Sequence, residues 1–140
     1  VQSAIQAAET AQALAFEHHR HRAQLSEALV ALLDRGRSID ALTLAAHRVR
    51  TERWRREVDV LFERHDVLLA PSAVDEAPEG LQFTGDPVFC RPWSLLGLPC
   101  VHLPLGSGSS RLPVGLQLVG RFGDDHRLLA AAQWVMQRVA

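Results

Sequence analysis

The sequence predicts an α/β fold in which helices pack on a small mixed β-sheet of about three strands. The residues before position 66 include no Pro and a single Gly, and apolar side chains recur at helical spacing, as at Leu25 and Leu29. From residue 66 onward the chain instead shows short apolar runs bounded by Pro and Gly, a pattern typical of strands and turns. We therefore expect one domain over residues 1–140, mainly helical over 1–65 and built of strands, loops and helices over 66–140.

Two helix boundaries follow from residues with strong preferences for helix ends. Gly36 follows an apolar helical stripe and predicts the residue just past a helix C-terminus. Ser38 predicts the N-cap of the next helix, because its hydroxyl can accept a hydrogen bond from an unpaired N–H of the first turn. We expect that helix over residues 39–64, with Leu42 and Val49 among its inward-facing side chains.

The second half predicts a strand, a long loop and four further elements. Residues 66–71 are an apolar run closed by Pro, which suits a buried strand, and residues 72–90 are rich in Pro, Gly and acidic side chains, which suits a loop. Pro92 fits the first turn of a short helix that ends at Gly97. We expect strands over 101–105 and 114–119 and a last helix capped by Asp124.

The run Gly-Ser-Gly-Ser-Ser at 106–110 has the composition of a phosphate-binding or nucleophile loop. Such loops lead directly into a helix, whose unpaired N–H groups hold the anion or whose first turn presents the nucleophile. This run leads instead through Pro113 into an apolar segment with strand-like alternation. We therefore expect a hairpin connection between two strands.

The composition is that of a soluble globular protein, with 47% hydrophobic residues, 22% charged residues and a net charge of -1. The arginines between positions 48 and 56 are interleaved with acidic residues such as Glu52, so this helix lacks the positive excess that phosphate binding requires. No apolar run is long enough to span a bilayer. We expect neither a nucleic acid nor a membrane as a partner.

All fifteen basic residues are arginine, and the chain contains no Lys, Asn or Tyr. Because the missing residue types have AT-rich codons, their absence indicates a GC-rich bacterial genome. The lack of Lys excludes a lysine base, a Schiff base or a P-loop lysine supplied by this chain. The chain begins at Val1 and has Met136 as its only methionine, so we expect a piece of a larger protein.

His18, His19 and His21 are the clearest potential metal ligands, but no carboxylate or Cys at helical spacing completes a site with them. We expect no metal and no other cofactor. Asp86 and His102 have the chemistry of an acid or a base, but the sequence identifies no partner for either side chain.

Cys90 and Cys100 lack the spacing of a metal finger or a redox motif, and we expect two free thiols in a reducing cytoplasm. Cys90 lies beside Arg91, a setting that can activate a thiol as a nucleophile. A cysteine-dependent hydrolase built on Cys90 therefore stays open as an alternative, although the sequence supplies no base next to it.

Five ordered segments of the second half carry a resemblance to a known family. They are DVLLAPS (66–72), APEGL (77–81), TGDPVFCRPWSLLGLPCVHLP (84–104), LPVGLQLVGR (112–121) and a D-x-x-L-L helix that begins at Asp125. Together they resemble the C-terminal portion of the amidase signature family, and the helices of the first half are compatible with it. The resemblance implies part of an α/β/α fold and an enzyme that hydrolyses linear amides.

The resemblance also implies which residues catalyse the reaction and which border the substrate. Family members use a Ser–Ser–Lys triad whose serines lie upstream in a motif of the form GGSSGGS. This chain has neither that motif nor a lysine, so no catalytic residue carries over and we expect the chain alone to be inactive. Family members commonly have Asn at the position of Cys90, so this chain lacks an amide donor there. The substrate-lining candidates are Thr84, Asp86, Phe89, Cys90 and Trp93.

The resemblance makes a small-molecule amide the expected substrate of the whole enzyme, which works either alone or within an amidotransferase complex. A sheet cut from a larger one exposes strand edges and apolar helix faces, so we also expect self-association through them. A stand-alone binding or assembly module, derived from an amidase but no longer an enzyme, is the main alternative.

Overall fold

The structure is a computed structural model that describes residues 1–139. Its elements in chain order are α1 (Gln2–Ala13), α2 (Ala15–Arg20), α3 (Glu27–Arg37), α4 (Ala41–Asp59), β1 (Leu68–Pro71), α5 (Arg91–Leu96), β2 (Cys100–Ser107), β3 (Pro113–Val119) and α6 (Asp125–Val139). Short 3-10 turns at Arg22–Gln24 and Val60–Glu63 follow α2 and α4. The predicted helices on a small three-stranded sheet are confirmed. Among the described residues no helix combines the length and apolar character needed to cross a membrane.

Contacts along the chain divide it into two compact units, Val1–Arg53 and the part from Trp54 onward. The sequence places the change of character later, after residue 65, because the helical pattern continues through α4 and the turn behind it. The single domain over the whole chain stays a prediction.

Small residues let α1 and α3 approach closely in the first unit. Ala7, Ala8 and Ala11 are buried on α1, and Leu33 and Gly36 are buried on α3. A Cβ at Gly36 would clash with the Ala7 carbonyl and lie 2.8 Å from the Ala11 Cβ. Gly36 therefore lies inside α3, where it permits this contact, and its predicted place past the helix end is wrong.

Asp40, and not Ser38, caps the N-terminus of α4. Its carboxylate accepts hydrogen bonds from Thr43 N at 2.8 Å and from Thr43 Oγ1 at 2.6 Å, and these bonds lower the pKa of Asp40. Ser38 instead ends α3, where its hydroxyl donates to the carbonyl oxygen of Arg35 at 2.8 Å. The helix starts later than predicted because Asp40 makes the cap bonds, while the Ser38 hydroxyl is bonded to the end of α3.

The buried face of α4 also differs from the prediction. Leu42 is 82% exposed and Val49 is 70% exposed, whereas Leu44 and Thr51 are buried. Each pair is separated by two helical turns and so shares one face of the helix. The predicted inward orientation of Leu42 and Val49 is therefore wrong, although the helix itself is confirmed.

The sheet has the strand order β1–β3–β2, and both pairings are antiparallel, where the sequence predicts a mixed sheet. The central strand β3 places Leu118 between Leu69 of β1 and Val101 of β2. The β2–β3 connection through the Gly/Ser run is the expected hairpin, with an irregularity between Pro104 and Gly106. In the described residues the outer edges of β1 and β2 have no strand partner.

Helices cover both faces of this sheet. On one face Leu118 packs with Leu128 and Ala132 of α6. On the other face Val119 packs with Leu96 of α5 and with partly buried side chains from the end of α4 and the turn that follows it. Because successive side chains of a strand point to opposite faces, two adjacent residues of β3 belong to two separate cores.

A left-handed glycine ends α5 and directs the chain into β2. Gly97 has φ +68°, a conformation that an L side chain rarely adopts. Leu98 N then donates to the carbonyl oxygen of Trp93 at 3.0 Å, which closes the helix end. The short helix predicted to end at Gly97 is confirmed, and it places Cys90 at its N-cap.

Candidate functional site

Four polar residues make linked hydrogen bonds where the end of β1, the loop before α5 and the middles of β2 and β3 come together. They are Ser72, Cys90, His102 and Gln117, here called the sheet cluster. His102 lies opposite Gln117 in the register of β2 and β3, and Ser72 directly follows β1. Gln117 shares the sheet face of Val119, which is the face that α5 covers farther along.

Gln117 fixes the loop that precedes α5. Its side chain is only 4% exposed, and its Nε2 donates to the carbonyl oxygen of Pro71 at 2.8 Å and to that of Phe89 at 2.9 Å. A buried amide that left these bonds unmade would be destabilising, so both carbonyls are held in place. The end of β1 and the segment carrying Phe89 and Cys90 are thereby joined to the central strand.

Ser72 and His102 form a direct hydrogen bond in the sheet cluster. Ser72 Oγ lies 2.6 Å from Nδ1 of His102, and the Cys90 thiol donates to the Ser72 carbonyl oxygen at 3.5 Å. Ser72 is half-buried and His102 is exposed, so solvent reaches the pair. His102, for which the sequence identifies no partner, therefore has one in Ser72.

The five substrate-lining candidates have different surroundings in the described chain. Cys90 is a member of the sheet cluster, and the Phe89 carbonyl accepts a hydrogen bond from Gln117 of that cluster. Asp86 pairs with Arg91 at 3.5 Å on the exposed surface, and Thr84 is exposed in the loop. Their contact with a substrate stays a prediction.

Trp93 lines an apolar groove of about 330 Å³ whose lining includes no member of the sheet cluster. Its Nε1 is buried without a hydrogen-bond acceptor among the described residues. A buried N–H left unsatisfied costs about 1–3 kcal/mol, so an acceptor brought by a ligand or by another segment would be favoured there. The other residues that line the groove are Trp54, Glu57, Val58, Pro92, Leu95 and Leu96.

The Gly/Ser run and the residues after it bind the carboxylate of Glu76, a residue of the same chain. Glu76 accepts hydrogen bonds from Ser110 N and from Leu112 N, each at 2.9 Å. The Ser110 and Leu112 amides lower the pKa of Glu76. A Cβ at Gly108 would lie 2.6 Å from Glu76 Oε1, so glycine is required for this approach. The contact anchors the 72–90 loop to the hairpin.

His18 contacts an acid and an arginine in the first unit. Its Nε2 lies 3.1 Å from Asp34 Oδ1, and Arg22 Nη2 lies 2.6 Å from Asp34 Oδ2. The bond from Arg22 lowers the pKa of Asp34. Over residues 1–139 no three His, Cys, Asp or Glu side chains are grouped as metal ligands would be.

Sequence reasoning missed two members of the sheet cluster, Ser72 and Gln117. Gln117 carried a usable signal, because it is a polar residue inside the apolar run Leu-Gln-Leu-Val of a central strand. No pattern in the sequence indicates Ser72, because its partner His102 is separated from it by thirty positions in the chain.

Comparisons with known proteins agree with this architecture. A profile of the amidase family matches residues 2–129. One subunit of the glutamyl-tRNA(Gln) amidotransferase of Gluconobacter oxydans is 37% identical over 108 residues, which cover 72% of this chain and 22% of that protein. A crystal structure of an amidase has a TM-score of 0.81 at 25% identity, over 99% of this chain and 34% of the other.

A second solved structure is similar in fold alone. It is described as a vestigial protein complex that reveals the origins of an s-triazine catabolic enzyme, and its TM-score is 0.78 at 21% identity over 96% of this chain. The chain spans 34% of the solved amidase and 22% of the amidotransferase protein. Since the family profile covers nearly all of the described residues, the chain belongs to the amidase signature family.

Proposed function

We propose that this chain forms the C-terminal part of an amidase-signature amidohydrolase, which hydrolyses a linear carboxylic amide to an acid and ammonia or an amine. The observation that carries the proposal is the family match over residues 2–129. The Ser–Ser–Lys residues then lie on a segment outside this sequence, which contains no lysine. The chain alone is inactive toward amides.

The chemistry of the whole enzyme is acyl transfer through a serine. The serine attacks the amide carbonyl, the amine leaves, and water releases the acid from the acyl-enzyme. The part played by this chain is to border the acyl pocket. Gln117 positions the backbone at Phe89, and Trp93 offers a buried indole N–H that has no acceptor among the described residues. The bordering candidates are Thr84, Asp86, Phe89, Cys90 and Trp93.

Ammonia release from a panel of simple amides tests the proposal on two proteins. The first is this chain alone, and the second is a chimera in which the chain replaces the matching third of the solved amidase. We expect no ammonia from the chain and measurable ammonia from the chimera. Ammonia from the purified chain alone would contradict a nucleophile on another segment. A folded but inert chimera would favour the binding or assembly module.

In an active chimera, the substitution Gln117→Leu examines the pocket. It removes both hydrogen bonds to the Pro71 and Phe89 carbonyls, so the segment that carries Phe89 and Cys90 loses its link to β3. Misplacement on the scale of an ångström lowers reaction rates by about a hundredfold, and we expect kcat/KM to fall by about ten- to a hundredfold. The control is Gln82→Leu in the exposed loop, and equal activity of the two variants would contradict the pocket assignment.

We also propose that the chain self-associates through the outer edge of β2. This strand is eight residues long and has only β3 as a strand partner in the described chain, whereas β1 is short and ends in Pro71. One structure of the same fold is described as a protein complex. Sedimentation over a concentration series should show a dimer that Leu105→Lys weakens. A monomer at every concentration would contradict the proposal.

A reducing bacterial cytoplasm is the compartment we propose. Cys90 and Cys100 are both free thiols, and partial burial raises the pKa of Cys100. The arginine-only basic composition supports a GC-rich bacterial source. Thiol titration of freshly lysed cells expressing the protein tests this, and a disulfide between the two residues would contradict it.

A further inference from the structure

The Ser72–His102 pair has the geometry of a serine nucleophile with its base. Ser72 Oγ and His102 Nδ1 are 2.6 Å apart, within the range at which a base can take the hydroxyl proton. We propose that Ser72 accepts acyl groups from activated esters, with His102 as the general base. This activity is separate from the amide hydrolysis proposed above and belongs to this chain alone.

Three contacts hold the backbone that carries the Ser72 hydroxyl. The Ser72 N–H donates to the Gly115 carbonyl oxygen at 3.4 Å, and the Ser72 carbonyl oxygen accepts from the Cys90 thiol at 3.5 Å. Gln117 holds the carbonyl of the preceding residue, Pro71. Because the backbone is bonded at three consecutive groups, the Ser72 side chain starts from a fixed position, and its bond to His102 orients the hydroxyl.

The imidazole of His102 is oriented by strand packing. A Cβ at Gly115 would lie only 2.6 Å from His102 Cε1, so the ring occupies the space that the missing side chain leaves on β3. With the Ser72 hydroxyl donating to Nδ1, the neutral ring carries its hydrogen on Nε2. The ring is exposed, so a proton gained at Nδ1 can be balanced by one lost from Nε2 to water.

The reaction is a two-step acyl transfer. Ser72 Oγ forms a bond to the ester carbonyl carbon while its proton passes to His102 Nδ1, and the bond to the leaving oxygen then breaks. The leaving group departs as a phenolate, and the imidazolium loses a proton to solvent. Water next attacks the acyl-serine with His102 again as base, which releases the carboxylic acid and restores Ser72.

The substrate class follows from what surrounds the base. In the described residues His102 has no acidic partner that would strengthen it, and the site is open to water. Such a base suits leaving groups that depart without protonation, so activated phenyl esters of small acids fit and unactivated amides do not.

The test uses this chain with p-nitrophenyl acetate and mass spectrometry of its peptides. We expect acetylation of Ser72 about a hundredfold faster than acetylation of Ser94, which matches the lower range of general-base assistance. Ser94 is an exposed serine of α5 with no histidine hydrogen bond in the described chain, so it provides an internal control in the same sample. His102→Gln should lower the Ser72 rate to that of Ser94, and Ser94→Ala should leave the Ser72 rate unchanged.

The comparison of Ser72 with Ser94 in the unaltered protein does not depend on any variant folding. Equal labelling of the two serines would overturn the proposal, and so would stable acetylation of Cys90 in place of Ser72. Retention of fast Ser72 labelling in folded His102→Gln protein, judged by circular dichroism, would remove His102 as the base. The labelling experiment does not depend on ammonia release, so its result and the amidase result are distinguishable.

Discussion

The two units of the chain use opposite kinds of side chain to hold their helices and strands together. In the first unit, alanines of α1 and Gly36 of α3 bring two helix backbones into contact. In the second unit, bulky residues such as Leu118 and Val119 fill the space between a sheet and the helices on its two faces. The first contact is therefore sensitive to an added methyl group, and the second core is sensitive to a lost one.

The largest expected effect is a cavity in the second unit. Leu128 is 2% exposed between α6 and the sheet, so Leu128→Ala should lower the free energy of unfolding by about 2–5 kcal/mol in urea denaturation. The control is its neighbour Leu129, which is 57% exposed. Leu129→Ala should lower the free energy of unfolding by less than about 0.5 kcal/mol. Similar losses at the two positions would show that this core is not packed as described.

An added methyl group in the first unit should have the next largest effect. Gly36→Ala forces a Cβ onto the Ala7 carbonyl, at a cost of about 3 kcal/mol, while the better helix preference of Ala offsets about 1 kcal/mol. We expect a net loss of about 2 kcal/mol in the free energy of unfolding. Gly106→Ala is the control, since no atom lies within 4 Å of its added Cβ. An unchanged free energy of unfolding in Gly36→Ala would contradict the close contact between α1 and α3.

The loop anchored by Glu76 should show a smaller, pH-dependent effect. The Ser110 and Leu112 amides lower the pKa of Glu76, so its carboxylate stabilises the folded loop above the unfolded value of about 4.3. That contribution is lost as the pH falls through the lower folded value. Cleavage by pepsin within residues 72–90 should therefore accelerate as the pH decreases, and Glu76→Gln should reduce this dependence. The control Glu79→Gln should keep it, and identical profiles would contradict the anchor.

The smallest expected effect concerns the cap of α4. Asp40→Ala removes the acceptor for Thr43 N and Thr43 Oγ1, so the thermal midpoint followed at 222 nm should decrease by less than for Gly36→Ala. Ser38→Ala removes only a bond to Arg35 O at the end of α3 and should have a smaller effect still. A larger decrease of the thermal midpoint for Ser38→Ala would indicate that Ser38 caps α4, as the sequence predicts.

Local patterns were sufficient for most elements of the second unit. Gly97 ends α5 as predicted, because the left-handed conformation is decided by the residue itself. The sequence also predicts the hairpin, because Pro113 and a strand-like segment follow the Gly/Ser run in place of a helix. The position of Gly36 inside α3 does not follow from local pattern, because its role depends on Ala7, a residue of another helix.

The candidate site was less predictable than the fold. A family resemblance predicts Cys90 and Phe89, but the bond that holds the Phe89 backbone comes from Gln117, on a strand later in the chain. The bond between Ser72 and His102 requires the β1–β3–β2 order, which brings the two outer strands to either side of β3. Strand order and register are properties of the assembled sheet, and the separate segments do not specify them.

In the contact between Glu76 and the hairpin, a side chain of the same protein occupies the anion-binding amides at the end of the Gly/Ser run. Its amides at Ser110 and Leu112 are the kind of group that captures phosphate from solution, yet a tethered carboxylate occupies them at a very high local concentration. Glu76 thus competes with free anions for a loop that has the composition of a phosphate site. Glycine-rich sequence alone is therefore a poor guide to ligand binding wherever an acidic residue lies within reach.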